Sequence, residues 1–196
     1  MQRRSQNQKI LNLLDSLQGL SICLIGMMGS GKSTIGKELS IQLNYRFFDT
    51  DILIEQVIGR KIPDIFATDG EAQFRDWESQ ILSNVTACTR SVIATGGGAV
   101  TTPRNWSYLH QTLVIWLDAP VELLVQRLRG DQGRPLLSNE ENIEERLNDL
   151  IVKRRDLYSQ ADLIVKIAAE EDPQQVTQHI IEQIPSVLKT TESTKS

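Results

Sequence analysis

The chain has 196 residues, 40% of them hydrophobic and 23% charged, with a formal net charge of −4 at pH 7. That length suits a single α/β domain able to bury a core of its own, and the acidic balance, with no basic stripe on any predicted helix, excludes a nucleic-acid-binding surface. No apolar run approaches the ~20 residues that span a bilayer and no secretory segment opens the chain; Cys23 and Cys88 lack disulfide or metal-ligand spacing, as do His110 and His179, so the expectation is a cytoplasmic protein with packed thiols, no zinc and no membrane partner.

Residues 1–19 carry Arg3, Arg4 and Lys9 before any acid, then Ile10, Leu11, Leu13, Leu14 and Leu17 at near-helical spacing. A helix capping the domain fits this extension better than the remnant of a targeting peptide, because the stretch is short and contains Asp15. A compact apolar strand, Leu20 to Ile25, leads into Gly26-Met-Met-Gly-Ser-Gly-Lys-Ser33 and then a helix from Thr34 to Leu43. This is the phosphate-binding pattern G-x-x-x-x-G-K-[ST] in full, placed between a strand and a helix as that loop requires. Its glycines let backbone N–H groups turn toward an anion, Lys32 reaches the outer phosphates, Ser33 offers a hard oxygen to Mg²⁺, and the helix N-terminus favours negative charge. The chain is therefore expected to bind a nucleoside triphosphate.

Tyr45 to Phe48 reads as a second strand, ending in Asp49-Thr-Asp51 where open α/β sheets hold ligands. If the strand continues, Asp49 and Asp51 point the same way, one to organise Mg²⁺ and the other to meet the acceptor; helix capping ahead of Ile52 to Ile58 accounts for one of the two equally well. After a break at Gly59 to Pro63, a short helix over Asp64 to Thr68 and a turn at Gly70 precede a longer helix from Glu71 to Thr89, with Phe74, Trp77, Ile81, Leu82 and Val85 inward. Arg75 and Glu78 stand three apart on it, a spacing usually found in solvated pairs. Ser91 to Thr95 is the third strand, followed at once by Gly96, Gly97 and Gly98, whose entropic cost implies a ligand lying against the main chain. No aspartate ends this strand, which leaves Asp49 as the magnesium carboxylate.

Thr112 to Leu117 forms the fourth strand and Val121 to Leu128 a helix opened by Pro120. Residues 129–139 then interrupt the pattern with two glycines, a proline and two arginines, the composition of a mobile lid delivering Arg134 to developing charge, or of a solvated surface loop. A long helix over Glu140 to Tyr158, a strand over Asp162 to Ile167 and an amphipathic helix over Gln174 to Ile184 complete the domain; Pro185 is expected to stop the last helix and 185–196 to form a disordered polar tail. The alternation of strands and helices predicts an α/β fold, a five-stranded parallel sheet with helices on both faces, in one domain over 20–184.

Together, Gly26 to Thr34, Asp49-Thr-Asp51, Phe74-Arg75 with Glu78, Gly96-Gly-Gly98, Arg134-Pro-Leu-Leu137 and Arg154-Arg-Asp-Leu-Tyr158 resemble, in order and spacing, the shikimate kinases, from about Leu20 to Ile184. The resemblance implies a P-loop fold like that of the nucleoside monophosphate kinases with a mobile lid, and ATP-dependent phosphorylation of the 3-hydroxyl of shikimate with Mg²⁺ as cofactor, by a monomer. It further implies that Gly29, Ser30, Gly31, Lys32, Ser33 and Thr34 cradle the ATP phosphates, that Arg127 and Pro173 flank adenine, and that Ser33 and Asp49 hold Mg²⁺, the latter through water. Asp51 would meet the reacting hydroxyl, Arg75, Gly97 and Arg154 would bind the acid's carboxylate and ring hydroxyls, and Arg134 would contact ATP and the transferring group; Lys32, Asp51 and Arg134 form the catalytic set. Asp156 stands where the family usually has proline, which leaves Arg154 and Arg155 both open, with the spacing to Pro173 favouring Arg154. A kinase for another hydroxy acid such as gluconate shares the loop and a carboxylate clamp but should lack the triple glycine and Arg-Pro-Leu-Leu set, and a non-catalytic descendant typically loses a residue of the catalytic set.

Overall fold

A computed structural model describes residues 2–129 and 143–192. Five parallel strands, β1 (Ile22–Ile25), β2 (Arg46–Asp49), β3 (Ser91–Ala94), β4 (Leu113–Asp118) and β5 (Leu163–Lys166), form one sheet in the order β2-β3-β1-β4-β5. The position of each strand in the sheet is written in its side chains. β1 and β3 are covered on both faces, and so every residue in them is buried. β5 lies at the edge and alternates, with Leu163 and Val165 inward and Ile164 and Lys166 outward.

The chain leaves β1 toward β2 on one side, returns to β3, and then crosses β1 to reach β4 on the other. β1 and β3, paired with Leu24 opposite Ala94, thus send their connections in opposite directions and leave a crevice beyond their C-terminal ends. Between strands run α2 (Lys32–Leu43), α3 (Thr50–Ile58), α4 (Ile62–Thr86), α5 (Asn105–Leu109), α6 (Val121–Leu128) and α7 (Ile143–Tyr158), with α1 (Gln2–Leu17) and α8 (Pro173–Glu192) at the ends. The main core gathers Leu24, Ile25, Leu39, Ile93, Ile115 and Ile180 across the sheet, while Ile54, Ile65 and Phe74 form a smaller cluster between α3 and α4.

The turn expected at Gly70 is present: α4 is two helical segments that meet at a kink where Gly70 takes the non-helical φ 80° and ψ 169°. Two elements differ from the sequence expectation. The second strand ends at Asp49 and α3 begins at Thr50, so Asp51 belongs to the first turn of a helix and does not continue the strand. Pro185 does not end the last helix: α8 runs on to Glu192, and Val187 and Leu188 pack against the core, a burial that outweighs the single backbone hydrogen bond proline forfeits. The last four residues of the expected tail, 193–196, lie outside the described residues. The N-terminal extension is a helix as expected, with Leu13 and Leu17 buried in the core and Lys9 3.9 Å from Glu182 of α8.

Cys23 is buried in β1, where burial pushes its thiol up against a weak pull from Thr112, and both cysteines are free. Among the described residues no helix is long and apolar enough to cross a membrane.

Candidate active site

The phosphate-binding loop joins β1 to α2 at the crevice. Gly31 caps α2 at φ 94°, a left-handed conformation that a side chain would resist. The Lys32 ammonium is drawn back over the loop and donates to the carbonyls of Gly26 at 2.9 Å and Met27 at 2.8 Å. Ser30 is buried beneath the turn, with its N–H donating to Met27 O at 3.2 Å. Arg127 of α6 reaches across to donate to Gly29 O at 3.1 Å.

Asp49 gives its two carboxylate oxygens to different partners. Its Oδ1 accepts from the N–H groups of Asp51 (3.0 Å) and Ile52 (3.3 Å), capping α3, while its Oδ2 accepts from the Ser33 hydroxyl at 2.5 Å. Asp51 is thereby fixed at the start of a helix, facing the same cleft. That cleft, of about 430 Å³, is lined by Lys32, Ser33, Asp49, Asp51, Gly97 and Arg127. Gly29, Gly31 and Thr34 also line it, as does Pro173, the first residue of α8. Of the expected site residues, Ser30, Arg75 and Arg154 stand outside this lining, and Arg134, with most of the expected lid, lies outside the described residues.

At Gly96 and Gly98 the lack of a side chain has a cause inside the protein itself. A side-chain carbon on Gly96 would lie 2.5 Å from Glu78 Oε1 and 2.7 Å from Asp51 Oδ1, and one on Gly98 would lie 2.4 Å from Arg75 Nη2. The space is thus taken by charged side chains of the site itself. Thr50, between the two aspartates, accepts from Gly96 N at 3.0 Å and ties the end of β2 to this turn.

Arg75 is 14% exposed and donates to Glu78 Oε2 at 2.8 Å and to Glu71 Oε1 at 3.0 Å. Burial works against its charge, but the two carboxylates outweigh burial and hold its pKa above the ordinary value. Glu78 is 1% exposed. Burial pushes its carboxyl up, the Asp51 charge adds to the effect, and Arg75 and Arg154 pull it back without cancelling it. Its Oε1 has no hydrogen-bond partner among the described residues. Glu78 was legible in the sequence only as a pair with Arg75; the stronger signal is that it interrupts the apolar stripe of Phe74, Ile81, Leu82 and Val85, where a carboxylate needs a reason to be buried.

Arg154 and Arg155 part company on α7, since adjacent helical residues point about 100° apart. Arg154, 6% exposed, donates to Gly97 O at 3.1 Å. Arg155 turns outward, 59% exposed, over the ring of Trp116 at 5.5 Å and 4.0 Å from Asp118. Tyr158, one turn after Arg154, reaches the same Gly97 carbonyl.

A family model described as shikimate kinase matches residues 28–185. The chain is 55% identical over 179 residues to the shikimate kinase of Synechococcus elongatus, covering 91% of this chain and 94% of that one. With that of Rippkaea orientalis it shares 57% over 173 residues, 88% of this chain and 92% of the relative. A solved shikimate kinase from Acinetobacter baumannii, in complex with shikimate, superposes with a TM-score of 0.80 at 39% identity, over 85% of this chain and 93% of that one. A deoxyadenosine kinase from M. mycoides, at 20% identity and a TM-score of 0.55, shares the fold. With a phosphate loop and a Ser–Asp pair on one crevice, with Arg75 and Arg154 against the glycine turn beside it, and with relatives of this similarity over nearly its whole length, the chain belongs to the shikimate kinase family, enzymes that phosphorylate shikimate with ATP.

Proposed function

We infer that the cleft carries out the family's reaction with the donor on one side and the acceptor on the other, transferring the γ-phosphoryl of ATP to the 3-hydroxyl of shikimate. The observation that carries this reading is that Lys32 and Ser33 of the phosphate loop line one cavity with Asp51 and Gly97. ATP lies with its phosphates over Gly29 to Thr34 and its base between Arg127 and Pro173. Shikimate is a monoanionic triol, and its carboxylate calls for the planar fork that arginine supplies. Arg75, part-buried, and Arg154, buried, both lie against the triple-glycine turn and would supply it, with Gly97 and Asp51 on the hydroxyls.

The transition state of phosphoryl transfer is loose, so the chain's task is to align the hydroxyl with the γ-phosphorus and to neutralise developing charge. Lys32 leaves the loop carbonyls for the phosphate oxygens when they arrive. Asp51 orients the hydroxyl and takes its proton late, a role worth roughly 10²–10⁴-fold. Arg134 is the further cation that the sequence assigns, and it lies outside the described residues.

Ser33 and Asp49 fit Mg²⁺: a hydroxyl and a carboxylate, both hard oxygens, already face each other at 2.5 Å. Among the described residues no three of His, Cys, Asp and Glu form a cage of their own, which suits an ion that keeps its water and takes phosphate oxygens as ligands. When bound it supplies positive charge to the β- and γ-phosphates. The chain acts as a monomer in the cytoplasm, one kinase domain over about 20–184, a reading supported by its likeness, over nearly its whole length, to biosynthetic kinases.

Coupled ADP-release assays with shikimate and with gluconate test the reading. Turnover on shikimate alone is expected, with phosphorus on O3 by NMR; turnover on gluconate without shikimate would overturn it.

A further inference from the structure

Tyr158 ends α7 and is 1% exposed, and a phenol buried so deeply needs a partner for its hydroxyl. It donates to the carbonyl oxygen of Gly97 at 2.6 Å, with Met27 Sδ at 3.4 Å beside it. Arg154 Nη1 donates to the same oxygen at 3.1 Å. The ring is stacked on Trp116 of β4, centroids 5.6 Å apart and planes 22° apart, so the sheet itself holds the hydroxyl in place. Burial pushes the phenol up to about 12, with Arg154 pulling back, and the group stays a donor at any working pH.

We propose that Tyr158 is a positioning residue for shikimate, fixing the Gly97–Gly98 peptide and the Arg154 guanidinium through one shared carbonyl. The proposal rests on the reading of the cleft given above. A peptide unit is planar and trans, so a carbonyl drawn toward α7 turns the N–H of the same unit, that of Gly98, the opposite way. The neighbouring units are held by Thr50 on the Gly96 N–H, by Ala99 N–H on Gly96 O at 3.2 Å and by Thr101 on Gly98 O, but none of these reaches the Gly97 carbonyl, and glycines on both sides let that unit turn between them. Without the phenol, the donor left to that carbonyl among the described residues is a guanidinium that shikimate also needs. Tyr158, buried and outside the cleft lining, therefore satisfies the carbonyl and leaves the other N–H groups of Arg154 for the substrate.

Tyr158→Phe keeps the ring on Trp116 and removes only the hydroxyl. The expected result is a shikimate KM raised on the order of tenfold, with the ATP KM unchanged and kcat within about twofold. Leu150→Ala is the control: it loosens the core packing of the same helix two turns before Tyr158 without touching the Gly97 carbonyl, and should lower Tm while leaving the shikimate KM in place. A Tyr158→Phe enzyme with an unchanged shikimate KM, or with both KM values raised alike, overturns the positioning role. A wild-type enzyme without activity on shikimate overturns the reading of the cleft and this role with it, so the two failures are told apart.

Discussion

The Arg75 guanidinium occupies the place of the side chain that Gly98 lacks: a carbon there would meet Nη2 at 2.4 Å and Nη1 at 2.6 Å. Gly98 has φ −99°, a conformation open to any residue, so the glycine is required by the arginine and not by the backbone. Gly98→Ala should then fold and displace Arg75. A lost charge-assisted hydrogen bond of ~1.5–3 kcal/mol corresponds to a shikimate KM raised roughly 10- to 100-fold, with the ATP KM unmoved. Steady-state kinetics with each substrate varied in turn checks this.

The two adjacent arginines of α7 should separate cleanly under mutation. Arg154→Met removes a donor from Gly97 and should raise the shikimate KM at least tenfold. Arg155→Met removes an exposed guanidinium lying over Trp116, and should leave both KM values unchanged and stability within about 0.5 kcal/mol. An effect of Arg155→Met on the shikimate KM equal to that of Arg154→Met would reverse the assignment.

Because Asp49 caps a helix with one oxygen and meets Ser33 with the other, its two jobs can be split. Asn caps as well as Asp, so Asp49→Asn should keep Tm nearly constant while the Mg²⁺ concentration needed for half-maximal rate rises roughly 10- to 100-fold. Asp49→Ala should do the same and also cost about 1 kcal/mol of stability as the cap is lost. Mg²⁺ titration of the rate, together with thermal melts, separates the two effects.

Glu78 gives a pH signature whose sign is fixed by its raised carboxyl pKa. Between the ordinary carboxylate value and the raised one, the folded protein holds a proton that the unfolded chain has released. Folding stability from this group is therefore present at low pH and lost as pH rises through the folded value. Glu78→Gln stays uncharged throughout, so the Tm of wild type relative to Glu78→Gln should increase as the pH is lowered through that window. A difference in Tm that is flat across it would mean the buried carboxyl is not shifted.

What could be read from the chain, and what could not, divides by distance. β1, the phosphate loop and α2 follow from residues within a few positions of each other, and so do the apolar interior strands. Asp49 was ambiguous between cap and ligand because each reading considered one carboxylate oxygen at a time, whereas the folded residue uses both. The triple glycine looked like space for a ligand; only the fold brings Asp51, Arg75 and Glu78, from two other elements, into that space. Pro185 misled for the opposite reason, since a strong local rule yielded to the packing of Val187 and Leu188.

The placement of Pro173 at the start of α8 has a consequence for how the enzyme is made. The phosphate loop is complete early in synthesis, before residue 40 has emerged, but Glu171, Pro173 and Val176 of the nucleotide cleft come near the end. The helix that carries Pro173 packs against α1, so the earliest and latest described elements meet. A nascent chain would hold its phosphate loop long before the α8 wall of the same cleft, so the cleft closes to its full lining only with the docking of α8.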